Sequence, residues 1–163
     1  MCIRDRFKLD EHLERLYKSF KLTRIDPQMT IEEMKKVSLE LLEINKDNYK
    51  ANEDCWLVHN ISRGHSITGG NPALQVSKPT VMIYTQPMNL VLWAPFYTKG
   101  CHAVTPPTRM VPSQSLDARI KNRSRLFYTL AEIEAKLVDP DAQSVILDIL
   151  SLIHISEPTR LHG

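Results

Sequence analysis

Residues 115–148 read SLDARIKNRSRLFYTLAEIEAKLVDPDAQSVILD. Within them Leu126, Leu130, Ile133 and Leu137 recur at the three- and four-residue spacing of one helical face, and Ser144-Val145-Ile146-Leu147 follows as a short apolar run of strand type. A helix from about Leu116 leading into a buried strand is expected, and helix alternating with strand is the mark of an α/β chain. Upstream, Ala103-Val104-Thr105 runs into Pro106-Pro107 and Pro112, whose fixed φ angles and missing N–H donors suit an extended connector. The expected organisation is a small α/β domain over residues 7–105, a connector over 106–116, and the opening of a second α/β domain over 117–149.

Further from that stretch, two β-rich runs stand on either side of a Gly/Pro/Ser segment: CWLVHNI at 55–61, closed by Arg63-Gly64, and Thr80 to Tyr84. Two helices precede them. Asp10 can cap the first, in which Leu13, Leu16, Tyr17 and Phe20 form one stripe. Pro27 interrupts, and Thr30-x-x-Glu33 then writes a capping box with Met29 and Met34 placed as its hydrophobic staple. The second helix should run from about Ile31 to Glu43 and bury Met34, Leu41 and Leu42. No internal repeat is present.

With 163 residues, 42% hydrophobic and 25% charged, the chain has globular composition, which excludes disordered and collagen-like classes. A formal net charge of +2 gives no bulk attraction to nucleic acid or an acidic membrane. No apolar run reaches the roughly 20 residues of a spanning helix, so no membrane partner is expected. Cys2, Cys55 and Cys101 are too few for a disulfide framework and fit a reducing, cytoplasmic compartment.

Both termini read as foreign to the fold. Met1-Cys2-Ile3-Arg4-Asp5-Arg6 can be encoded by ATG TGT ATA AGA GAC AG plus one purine, and the reverse complement, CTG TCT CTT ATA CAC AT, encodes Leu-Ser-Leu-Ile-His-Ile, the residues at 150–155. One DNA sequence on opposite strands encodes residues 1–6 and 150–155, which together with residues 156–160 resemble a sequencing adapter, so residues 1–6 and 150–163 are expected to be foreign. Phe7 to Ile149 is then expected to be a gene fragment.

Several constellations fail as sites. Gly64-x-x-x-x-Gly69-Gly70 has phosphate-loop spacing, but glycine stands where that loop needs lysine, so a turn between strands is the better reading. Cys55 and His59 on a strand would lie about 13 Å apart, too far for one metal ion, and read as core. Cys101-His102 has no second ligand pair at zinc-site spacing, and Ser66 lacks a nucleophile elbow because Thr68 replaces its glycine. No metal is expected. The basic run Lys121-Asn122-Arg123-Ser124-Arg125, with Lys18, Lys21 and Arg24, lacks regularly spaced stacking aromatics and reads as a solvated face, so no nucleic-acid partner is expected.

Two cations call for a chemical account: Arg15 within His12-Leu13-Glu14-Arg15-Leu16, and Lys121 within Arg119-Ile120-Lys121-Asn122. The H-x-x-R-L of residues 7–22 resembles the phosphate-anchoring helix of the class IV, fold type IV, pyridoxal-phosphate aminotransferases, the branched-chain and D-amino-acid aminotransferase family. Residues 115–148, including Glu134-Ala135 and the run to Asp148, resemble the same family's segment around its Schiff-base lysine. The resemblance spans nearly all of Phe7 to Ile149, loosely over residues 45–89, and implies that 117–149 opens a pyridoxal-phosphate-binding domain.

What the resemblance implies is a cofactor, pyridoxal 5′-phosphate, with Arg15 on its phosphate and Lys121 as its covalent partner and catalytic base. A guanidinium suits the first role because its planar fork gives two charge-assisted hydrogen bonds, and a lysine suits the second where burial lowers its pKa. Arg63, in Ser62-Arg63-Gly64, falls where the family often has Arg-Gly beside the substrate pocket; a turn-stabilising surface arginine is an equal reading. The Pro-Arg-x-His pattern of the D-amino-acid branch is absent, which tilts the reading toward branched-chain-like or amine-specific branches. The family implies substrates that are an amino acid or amine and a 2-oxo acid, and a homodimer when complete. Its pyridinium carboxylate and further phosphate contacts would lie beyond residue 149, so little transaminase activity is expected of residues 7–149. An aminodeoxychorismate-lyase-like enzyme would use the same arginine and lysine, and a non-catalytic interaction module with Lys121 facing solvent is the alternative outside enzymes.

Overall fold

The computed structural model describes residues 8–50, 53–65, 78–88 and 90–149. The chain divides into two compact units, Met1–Asn89 and Leu90–Gly163, a division that falls ahead of the proline-rich stretch. Both units mix helix and strand, as an α/β chain should.

In the first unit, helix α1 spans Leu9–Thr23 and α2 spans Ile31–Asn45. Asp10 does not cap α1: Lys8 holds the cap position at φ 52 with no side-chain cap. Asp10 instead lies in the first turn, where a carboxylate opposes the positive helix end, and its Oδ1 is 2.7 Å from Lys35 Nζ. That pair is exposed and contributes at most about 1 kcal/mol.

Helix α2 begins on the expected capping box. The Glu33 amide donates to Thr30 Oγ1 at 3.1 Å, and the Thr30 amide donates to Glu33 Oε2 at 2.7 Å. These bonds favour the charged carboxylate and hold the Glu33 pKa below its usual value. Thr30→Ala should cost about 1 kcal/mol, read as a lower urea midpoint; an unchanged midpoint would show that the box adds nothing.

Strands β1, Cys55–Ser62, and β2, Thr80–Pro87, pair antiparallel from Cys55↔Pro87 to Ser62↔Thr80. Alternation along a strand sends odd and even positions to opposite faces. Leu57, Val81 and Ile83 pack against the cluster of Leu9, Leu13 and Met34 supplied by the helices, whereas Trp56 and Met82 remain exposed. The turn after β1 requires a glycine: Gly64 sits at φ +88, and a Cβ there would lie 1.8 Å from the Lys78 carbonyl oxygen. Gly69, Gly70, Ser66 and Thr68 lie outside the described residues.

The second unit contains the short helix α3, Phe96–Lys99, then β3, Ala103–Val104, helix α4, Leu126–Val138, and β4, Gln143–Ser144. Strands β3 and β4 pair in parallel, so α4 is the crossover of a βαβ unit. The parallel pairing resumes at Arg109↔Leu147.

Helix α4 starts at Leu126, later than the expected Leu116. Asp117 Oδ1 accepts from the Arg119 amide at 2.9 Å, and Asn122 Oδ1 accepts from the Ser124 amide at 3.0 Å. Short polar side chains that bond nearby amides compete with helix in this way. The apolar stripe of Leu126, Leu130, Ile133 and Leu137 is exposed, and α4 buries Ala131 and Ala135 instead.

Candidate active site

Arg15 lies midway along α1 and is half-buried. Its Nη2 is 3.2 Å from His12 Nδ1, one helical turn earlier. A guanidinium only donates, so Nδ1 accepts in this contact. The Arg15 carbonyl accepts from Ser19 Oγ at 3.0 Å, a bond inside the same helix.

A second polar group lies between α2 and β1. Ser38 is buried, and its hydroxyl donates to the Met34 carbonyl at 2.7 Å while standing 2.7 Å from His59 Nε2. One hydroxyl carries one proton, so the arrangement assigns the donor of the second bond to His59 Nε2. His59, half-buried, shares the helix-facing side of β1 with Leu57. Burial first, and the neighbouring His12 second, push the His59 pKa below its ordinary 6.5.

The sign of the resulting pH dependence is fixed. Between the depressed folded pKa and 6.5 the unfolded chain binds more protons at this site, so stability rises with pH across that window. The stabilisation is complete above 6.5 and is lost as pH falls through the folded value. Urea midpoints at pH 7.5 should exceed those at pH 5, and His59→Gln should flatten the difference; an equally steep profile in that variant would assign the effect elsewhere.

Arg63, exposed at the end of the hairpin strand, donates from Nη2 to the Thr23 carbonyl at 2.6 Å. Thr23 ends α1, and a last-turn carbonyl lacks a partner inside its own helix. The bond ties β1 to the C-terminus of α1, about 12 Å along the helix from Arg15.

Lys121 belongs to the second unit and is exposed, in the turn segment just before α4. The turns flanking it are fixed by Asp117, which accepts from the Arg119 amide, Nε and Nη2, and by the Asn122 amide donating to the Ile120 carbonyl at 3.0 Å. The Arg119 bonds hold the Asp117 carboxyl down at about 2. At the start of α4, Arg125 lies over the Tyr128 ring, 5.0 Å from its centroid.

Spacing did not reveal two polar clamps. Ser38 with His59 is one, and the other joins Glu134 to the proline-rich stretch: Glu134 accepts from the Thr108 amide at 3.1 Å and from Thr108 Oγ1 at 2.9 Å. The signal for the first was a polar residue at an inward strand position opposite a serine in an apolar helix face. His102 Nδ1 also pairs with Asp139, whose carboxyl is held below its usual value by the Asp141 amide first and His102 second. Among the described residues no three His, Cys, Asp or Glu side chains are placed to hold a metal ion, and no helix is long and apolar enough to cross a membrane.

The chain is mixed α/β, with Arg15 on its first helix and Lys121 just before the helix of a βαβ crossover. The family model for amino-transferase class IV matches residues 4–149, and the chain belongs to that family. It is 33% identical over 142 residues to a Methanocaldococcus jannaschii protein named "Putative branched-chain-amino-acid aminotransferase". The alignment covers 87% of this chain and 46% of the relative, so the chain spans about half the relative's length.

Proposed function

We propose that the full-length protein containing this chain is a pyridoxal-phosphate-dependent transaminase that moves an amino group between a branched-chain-like amino acid, or an amine, and a 2-oxo acid. The observation that carries this reading is the class IV match over residues 4–149, a span that holds both Arg15 and Lys121. The relative's name favours branched-chain substrates. A cytoplasmic homodimer belongs to the same proposal.

The residues fit the cofactor in kind. Arg15 offers a half-buried guanidinium whose neighbour His12 accepts from it through Nδ1. Lys121 offers a primary amine between two tightened turns. When bound, pyridoxal phosphate supplies an aldehyde that condenses with a primary amine and a ring that takes up electron density from the substrate Cα. Arg15 would hold the phosphate by paired charge-assisted hydrogen bonds. Lys121 would provide the amine in the resting enzyme and, once displaced by the substrate amino group, remove the proton from Cα as general base. Arg63 would contribute to substrate binding while anchoring the end of β1 to α1.

A carbon-carbon lyase on the same fold would place the same demands on Arg15 and Lys121, so products separate the two: nitrogen transfer to 2-oxoglutarate supports the transaminase, pyruvate release from aminodeoxychorismate the lyase. Borohydride reduction of the cofactor-loaded full-length protein should attach a pyridoxyl group to Lys121, read by peptide mass spectrometry. Attachment at another lysine would remove the assignment.

A further inference from the structure

Helix α4 is apolar on two opposite faces. Ala131 and Ala135 are fully buried on the side of β3 and β4. At the 100° step of a helix, Leu126, Leu130, Ile133 and Leu137 fall on the far side, and they are 70%, 46%, 53% and 83% exposed. A surface helix keeps one apolar stripe for the core and turns a polar face to water, whereas a helix apolar all round is a buried one. Here the outward stripe carries the larger side chains.

The excess of exposed apolar surface is local. Of the eighteen large hydrophobic residues exposed among the described residues, thirteen belong to the second unit. That unit also rests on a parallel pair of two-residue strands, and parallel sheets occur with both faces covered. More than half of the relative's length lies outside the part aligned with this chain.

We infer that the outer stripe of α4 is an internal docking face, covered in the full-length protein by chain of the same polypeptide outside this 163-residue sequence. A second copy is the poorer occupant. Four aliphatic side chains on three turns fall short of the roughly 800 Å² per partner of a standard interface. The inference uses the relative's length and the two-faced helix, and stands whether or not Lys121 is catalytic.

The test is site-resolved accessibility in the full-length protein. Leu130→Cys and Leu137→Cys variants are treated with a maleimide, and each site is read by peptide mass spectrometry against the same protein unfolded in urea. Labelling should be slowed at least about 100-fold at both sites, and the protection should not change on dilution. Labelling within a few-fold of the unfolded rate overturns the inference. So does protection that disappears on dilution as dimers separate, which would make a second copy the occupant. If the cysteine variants fail to fold, hydroxyl-radical footprinting of Leu130 and Leu137 in the unsubstituted protein gives the same two readings.

Discussion

Lys121→Ala in the full-length protein should lower kcat for transamination by about 10²–10⁴-fold, the usual contribution of a positioned acid-base group. The proposed role gives the amine two tasks, so the loss should fall on kcat rather than on substrate KM alone. A small amine such as methylamine added to the variant should restore part of the rate in proportion to its concentration, because it can take up the Cα proton that the side chain no longer can. Cofactor binding should weaken without vanishing, since Arg15 still meets the phosphate. Unchanged kcat would show that Lys121 is a surface residue and would remove it from the proposed chemistry.

Met34→Ala should remove about 2–5 kcal/mol of stability, the range for truncating a fully buried aliphatic side chain. Met34 is 0% exposed and belongs to the cluster through which α1 and α2 meet the hairpin. Against a typical total of about 5–15 kcal/mol, that loss leaves the fold marginal. Met34→Leu, which keeps most of the volume, should cost less than about 1.5 kcal/mol. Equal urea midpoints for the two variants would show that the site collapses around the missing side chain.

Local chemistry was legible wherever it was enough to decide a structure. Thr30 and Glu33 announced the start of α2, and both β-runs paired, because a capping box and a strand pattern act over a few residues. The start of α4 was not legible, since Asp117 and Asn122 divert amides that a helix pattern would have used. Nor was the choice of its buried face: the hydrophobic period marked the leucines, while packing on β3 and β4 took the alanines. A close approach of helix to strand rewards small side chains, and no period in the sequence records which neighbour comes close. In the candidate site, Arg15 and Lys121 were singled out through their sequence contexts and remain a proposal. Ser38 facing His59 depends on a pairing between separate elements that only the folded chain reveals.

The hairpin of the first unit sets a rule for its relatives. Eight residues of β1 face eight of β2 without a skipped position, and a one-residue slip exchanges the faces of a strand. A one-residue slip of β1 against β2 would turn His59 and Leu57 away from the helices and bring Trp56 against them. Length differences among homologues should therefore accumulate between the two strands or beyond their ends, while the paired stretches themselves keep a constant count.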